Sequence, residues 1–187
     1  MNFARVYAAR TKGARRLRGL LFKVRVWWCG GQAGRRLEIE RGVLIRWRPH
    51  RNIQIADDVY LGQGVILDVP YPARLVVGDR AKIMHYSLVA ASNAVIIEAD
   101  VQIAESSSIR DSDHDVSIDA VMATAPLRAD AVRIGRGAWV ARGVAVLRGS
   151  QIGEGAVIGA NAVVRGTIEP NAIAVGAPAR VVKFRGE

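Results

Sequence analysis

From residue 134 to residue 163 the apolar positions recur every six residues, in the successive words IGRGAW, VARGVA, VLRGSQ, IGEGAV and IGANAV. The first position is Ile or Val (Ile134, Val140, Val146, Ile152, Ile158), the fourth is Gly or Asn, and the fifth is small or β-branched. A period of six fits neither an amphipathic helix at 3.6 residues per turn nor a simple alternating strand, and it is the mark of a solenoid. Each word predicts a short strand with its first residue pointing inward, then a corner at which Gly or Asn takes a positive φ. Three words make one coil of a triangular prism, and stacked coils align the inward residues in columns that no single repeat could bury. Weaker words extend the pattern upstream: IERGVL at 39–44, IADDVY and LGQGVI at 55–66, then words from Val77 to Ser108. DVPYPARLV interrupts them, and Pro70 and Pro72, which cannot donate to a ladder, predict a loop or bulge over 68–75. The frame is lost again from Ile109 to Val132, and a break that long inside a solenoid predicts a functional loop.

Residues 3–24 carry no such words and predict a helix, with Phe3, Tyr7, Ala14, Leu17, Leu21 and Val24 near one face and arginines elsewhere. Residues 1–36 therefore read as a basic amphipathic segment and residues 37–187 as the solenoid domain. Charge follows the same division. Residues 1–51 hold 12 Arg and 2 Lys against 2 Glu, a balance of +12, while the remainder is −2, giving the net +10. A basic amphipathic helix followed by Trp27 and Trp28 suits an anionic membrane surface. The competing reading packs the helix on the solenoid end with its basic face in water. Nucleic acid is disfavoured, because no RNA- or DNA-binding module accompanies the charge. The single Cys29, the lack of a secretory pattern at MNFARVYAARTK and the lack of a long apolar run point to a reducing, cytoplasmic setting. Beside two tryptophans, Cys29 reads as an apolar filler.

The hexads, the histidine-bearing loop before them and the ending AVGAPARVVK resemble the hexapeptide-repeat acyltransferases, whose fold is a left-handed parallel β-helix. The resemblance covers about residues 53–183. It implies an all-β solenoid, a homotrimer with active sites between subunits, and transfer of an acyl group from acetyl-CoA to a hydroxyl or amine of a sugar or glycolipid, as in surface polysaccharide synthesis. Outward apolar groups such as Trp139 and Val157 agree with self-association.

Within the loop, the run Asp111-Ser112-Asp113-His114-Asp115 places an imidazole among three carboxylates. Acyl transfer needs a base near neutral pH to take the acceptor's proton, and imidazole supplies one. His114 is the candidate base, with Asp113 or Asp115 to orient it. From the resemblance, Trp139 lines the active-site wall or a trimer contact, and the amides of Ala141 and Arg142 donate to the thioester oxygen. Gly159 and Ala160 meet the pantetheine arm while also serving as corner residues. Arg165, Arg180 and Lys183 are candidates for coenzyme A phosphates. Zinc is set aside. γ-class carbonic anhydrases share the fold but use two histidines five positions apart, whereas His50, His85 and His114 are 35 and 29 residues apart. A non-catalytic scaffold docked by its basic end is the alternative to an enzyme.

Overall fold

In the computed structural model, which describes residues 3–117 and 121–187 with side chains from Thr11 onward, the chain forms one helix and a parallel β-solenoid. Each coil crosses three faces. The first face stacks Gln32–Ala33, Ile53–Ile55, Arg74–Val77, Ala94–Ile97, Val132–Ile134, Gln151–Ile152 and Thr167–Ile168. The second runs from Glu38–Ile39 through Lys82–Ile83 and Trp139–Val140 to Ala172–Val175, and the third from Leu44–Ile45 through Ser108–Arg110 to Val163–Val164. Six coils are complete, and a seventh is started. This is the fold of the left-handed β-helix proteins.

The hexad positions explain the stacking. Ile55, Leu61, Val77, Ile83, Val89, Ile97, Ile103, Ile134, Val140, Val146, Ile152 and Ile158 are all buried. Burying each such side chain contributes about 1.5–3 kcal/mol. The corners behave as the repeat requires: Gly137, Gly143, Gly149, Gly155 and Asn161 have φ between 57° and 73°. The prolines of DVPYPARLV do not break the solenoid. They sit within residues 69–73, the corner between strands Ile66–Asp68 and Arg74–Val77, so the expected loop over 68–75 is found at 69–73 but also took in the end of the first strand and the start of the second. The solenoid also starts at Gln32, five residues before the expected boundary at 37.

The loop at 109–132 is less irregular than its sequence suggests. Ile109 and Arg110 complete a third-face strand, and Ser112–His114 then pairs antiparallel with Leu127–Ala129 in a hairpin. Beyond it the ladder resumes in register, with Val95 opposite Val132 and Ile97 opposite Ile134. The insertion therefore sits on the edge where the third face hands over to the first, without disturbing the core.

The helix spans Phe3–Trp28 and ends at Gly30, whose φ is +85°. It lies across the first coil, but not on the side its apolar residues predict. Phe22 and Val26 are buried against the prism, Gly19 meets Leu37, and Arg18 Nε donates to the Ile39 carbonyl at 2.8 Å. Arg15 pairs with Glu38 and Glu40, and Glu40 also accepts from the Tyr60 hydroxyl at 2.7 Å. Burial and that hydrogen bond push the Tyr60 phenol up to about 12. Leu17, Leu21 and Val24, expected on the apolar face, are 61%, 62% and 50% exposed. The reason is the partner. The rim of the first coil offers carbonyls and carboxylates, so guanidinium groups and a bare glycine dock there better than leucines. The side chains of Phe3 and Tyr7 lie outside the described residues. No described helix is long and apolar enough to cross a membrane.

At the other end, the chain after the last coil turns back, and Arg180–Phe184 pairs antiparallel with Ala172–Val175, closing the second face.

Gly19 gives a test of this docking. On an isolated helix Gly→Ala adds about 1 kcal/mol of stability, but a Cβ here would meet the Leu37 carbonyl oxygen at 2.2 Å. Gly19→Ala should therefore loosen the helix, read as faster tryptic cleavage within residues 10–25 while the circular dichroism of the solenoid is unchanged. Slower cleavage than wild type would refute the docked arrangement.

Candidate active site

The candidate residues fall on two different edges of the prism. The hairpin edge, between the third and first faces, carries His114, Asp113 and Asp115. Arg148 and Arg165 occupy the same edge in the next two coils. With Arg128 from the hairpin's second strand they line a cavity of about 630 Å³. Among the cofactor candidates only Arg165 is gathered here with His114.

His114 is exposed, and its Nδ1 lies 3.2 Å from the carbonyl oxygen of Ala125 across the hairpin. A carbonyl can only accept, so Nδ1 is the donor of this bond, and in the neutral ring Nε2 is then the acceptor nitrogen, with no protein partner among the described residues. The orienting group is thus a backbone carbonyl rather than one of the flanking carboxylates. Each aspartate is otherwise engaged. Asp111 is buried and accepts from the amides of Ser92 and Asn93 at 2.7 and 2.8 Å. Asp113 pairs with Arg148 at 3.4 Å. Asp115 accepts from Arg128 at 2.8 Å and from the Ser117 amide at 3.1 Å, and these two bonds hold its carboxyl below the usual carboxylate range. Arg148 reaches Asp130 as well. The aspartates therefore fix the arginines and the hairpin around the histidine.

Sequence reasoning missed Arg128, Arg148 and Asp130. Arg148 was legible in principle: it stands at the third, corner position of its hexad, and Arg165 follows it after one coil.

The second group lies on the second face and on the edge after it. Trp139 is half-exposed on the second face, as its outward hexad position requires. Ala141 is buried, and its N–H donates to the Ile158 carbonyl at 2.9 Å, so the ladder already uses this amide and it is not free for a thioester oxygen. The amide of Arg142 remains a candidate, and its side chain pairs with Glu105 at 3.5 Å. Gly159 owes its small size to packing, since a Cβ there would lie 2.7 Å from Val175 Cγ1. Ala160 beside it is exposed. Arg180 and Lys183 are exposed on the terminal strand of the same face.

The three histidines occupy separate places. His50 is buried with Nε2 3.0 Å from the Val69 carbonyl, and His85 lies 3.3 Å from Glu40. Among the described residues no cluster of metal-ligating groups forms.

Residues 131–166 match the family described as bacterial transferase hexapeptide (six repeats). No curated protein matches the sequence. Among solved structures, the chain is similar to AntD, an N-acyltransferase from Bacillus cereus in complex with dTDP and coenzyme A. The TM-score is 0.74 and the identity 19%, over 82% of this chain and 83% of that one. It is also similar to a maltose O-acetyltransferase from Clostridium difficile 630, at TM-score 0.63 and 28% identity over 69% and 67% of the two chains. A third is a hexapeptide-repeat-containing acetyltransferase from Vibrio cholerae O1 biovar eltor complexed with acetyl coenzyme A, at TM-score 0.63 and 19% identity over 79% and 73%. Residues 131–166 thus carry the hexapeptide repeat, and the prism around them is the left-handed β-helix fold shared with the acyltransferase structures to which the chain is similar.

Proposed function

We propose that the protein is an acyltransferase that moves an acyl group, with acetyl-CoA as donor, onto a hydroxyl or amino group of a sugar or glycolipid, with His114 as general base. The observation that carries this reading is the hydrogen bonding of the imidazole. Its Nδ1 is committed to the Ala125 carbonyl, and Nε2 is left as an acceptor at an arginine-lined cavity. In the reaction Nε2 takes the proton from the acceptor's hydroxyl or amine as its oxygen or nitrogen attacks the thioester carbonyl. The tetrahedral intermediate collapses with release of the coenzyme A thiolate, and the imidazolium returns the proton to that sulfur. The acetyl-CoA and acyltransferase readings draw on the relatives in complex with coenzyme A or acetyl coenzyme A. The sugar draws on the maltose O-acetyltransferase.

The two groups of residues favour an assembly. His114 stands on the hairpin edge, whereas Trp139, Arg142, Gly159, Ala160, Arg180 and Lys183 stand on the second face and the edge after it. A donor held along the latter group would meet the base of a neighbouring protomer, as in a homotrimer with composite sites. Light scattering at micromolar concentration should give three times the chain mass; a monomer with full activity would refute the composite site. We place the enzyme on the cytoplasmic side, with the basic segment, residues 1–28, in peripheral contact with anionic membrane.

Replacing His114 with Ala should lower kcat by about 10²-fold or more, the usual contribution of positioned proton transfer, while coenzyme A binding by calorimetry is unchanged. Unaltered turnover would remove His114 from the chemistry. Arg180→Ala or Lys183→Ala should act in the opposite sense. Each should raise KM for the donor by about tenfold, corresponding to a lost charged contact of roughly 1–2 kcal/mol, with a smaller effect on kcat. A chain that fails to bind coenzyme A at all would instead be a docked scaffold.

A further inference from the structure

The docked helix is apolar on its free side as well. Leu17, Leu20, Leu21, Val24, Trp27 and Trp28 recur at the i, i+3, i+4, i+7 spacing of one helical stripe and are 50–77% exposed. On the helical wheel this stripe lies opposite the buried Phe22 and Val26. Lys23 flanks it on one side, with Lys12 and Arg16 further along that side also reaching Glu38, and Arg25 flanks it on the other, while Arg18 is turned to the prism; the helix contains no acidic residue. Apolar side chains and tryptophans projecting outward with cations at their flanks form the arrangement that lies in the interface of an anionic bilayer, with cations at headgroup level.

The tryptophan end of this helix abuts the hairpin edge. A Cβ on Gly31 would lie 2.9 Å from the His50 carbonyl oxygen, and His50 belongs to that edge in the first coil. From there a cleft of about 390 Å³ follows the edge, lined by Trp47 in the first coil, Asp68 and Pro70 in the second, Ser92 in the third, and Ser112 and His114 in the hairpin. Trp47 is half-exposed and donates to Asp68 at 2.6 Å, and Arg51 donates to the hydroxyl of the exposed Tyr71 at 3.0 Å. Three coil steps separate Trp47 from the hairpin, about 14 Å at the strand spacing. This is roughly the reach of a phosphate-linked sugar headgroup standing out of a membrane.

We propose that the helix stripe seats the protein on an anionic bilayer so that the hairpin-edge cleft opens toward the lipid, and that the acceptor is a lipid-borne sugar whose headgroup enters past Trp47 to reach His114. This rests on His114 being the acceptor's base. It selects the glycolipid over the water-soluble sugar and names the entry route.

The test uses the full-length protein and vesicles of phosphatidylcholine with phosphatidylglycerol and brominated acyl chains. Wild type should cosediment with them and its tryptophan fluorescence should be quenched. Trp47→Phe should remove part of that quenching and Trp139→Phe, four coils away on another face, should remove none. The double variant Leu21→Glu, Trp28→Glu alters exposed positions only and should bind at least ~10-fold more weakly, with unchanged circular dichroism and coenzyme A affinity. No cosedimentation by wild type, or quenching that depends on Trp139 and not Trp47, overturns the inference. In the second arm, acetyl-CoA is supplied with one hexose presented either on polyprenyl phosphate in the vesicles or on a soluble nucleoside diphosphate. Transfer favouring the lipid form, and lost with the double variant, supports the inference. Equal transfer to the soluble form, indifferent to that variant, overturns it while leaving acyl transfer intact. Failure to bind coenzyme A strikes the enzymatic reading instead, and the quenching results still decide where the protein sits.

Discussion

Everything in this molecule depends on the parallel ladder between one coil and the next. Each strand is only two to five residues long and could not persist alone. It persists because its N–H and C=O groups pair with the coils before and after it, while its inward Ile, Val or Leu stacks on the equivalent residue of those coils. The register is strict, because a slip of one residue would turn the apolar column outward. Variation is therefore confined to the corners and the ends, and the hairpin, the terminal strand and the helix are all found there.

The hexads made the prism legible because one physical demand, inward β-branched residues with a turn between them, is repeated until it dominates the sequence. The interruption read at DVPYPARLV was drawn too wide for the converse reason. Prolines argue against a ladder, but at a corner the backbone has left the ladder already. The helix was legible as a helix and illegible in its docking. Amphipathic patterning assumes that the apolar side is the buried one, whereas Arg15, Arg18 and Gly19 meet a rim of carboxylates and carbonyls that only the folded first coil assembles.

At the candidate site the sequence pointed to the histidine but not to its support. Three neighbouring aspartates suggested a carboxylate behind the ring, yet successive residues of an extended strand point to opposite sides. Asp113 and Asp115 accordingly turn to Arg148 and Arg128, and the ring meets the carbonyl of Ala125, just before the opposing strand. That partner lies 11 residues away and carries no side-chain signature, so only the hairpin register reveals it. The amide of Ala141 illustrates the same limit, since its use in the ladder is a property of the stacked coil.

The two ends of the solenoid carry a further consequence. A stack of parallel strands has an open edge at each end, and an open edge is a template for adding the next copy. The last second-face strand is paired with Arg180–Phe184 running antiparallel, a direction that a following parallel coil cannot extend, and the first coil lies under a cationic helix. A repeat that could in principle grow into a fibre is thereby held to a fixed length, and partners are left to meet the prism from its sides.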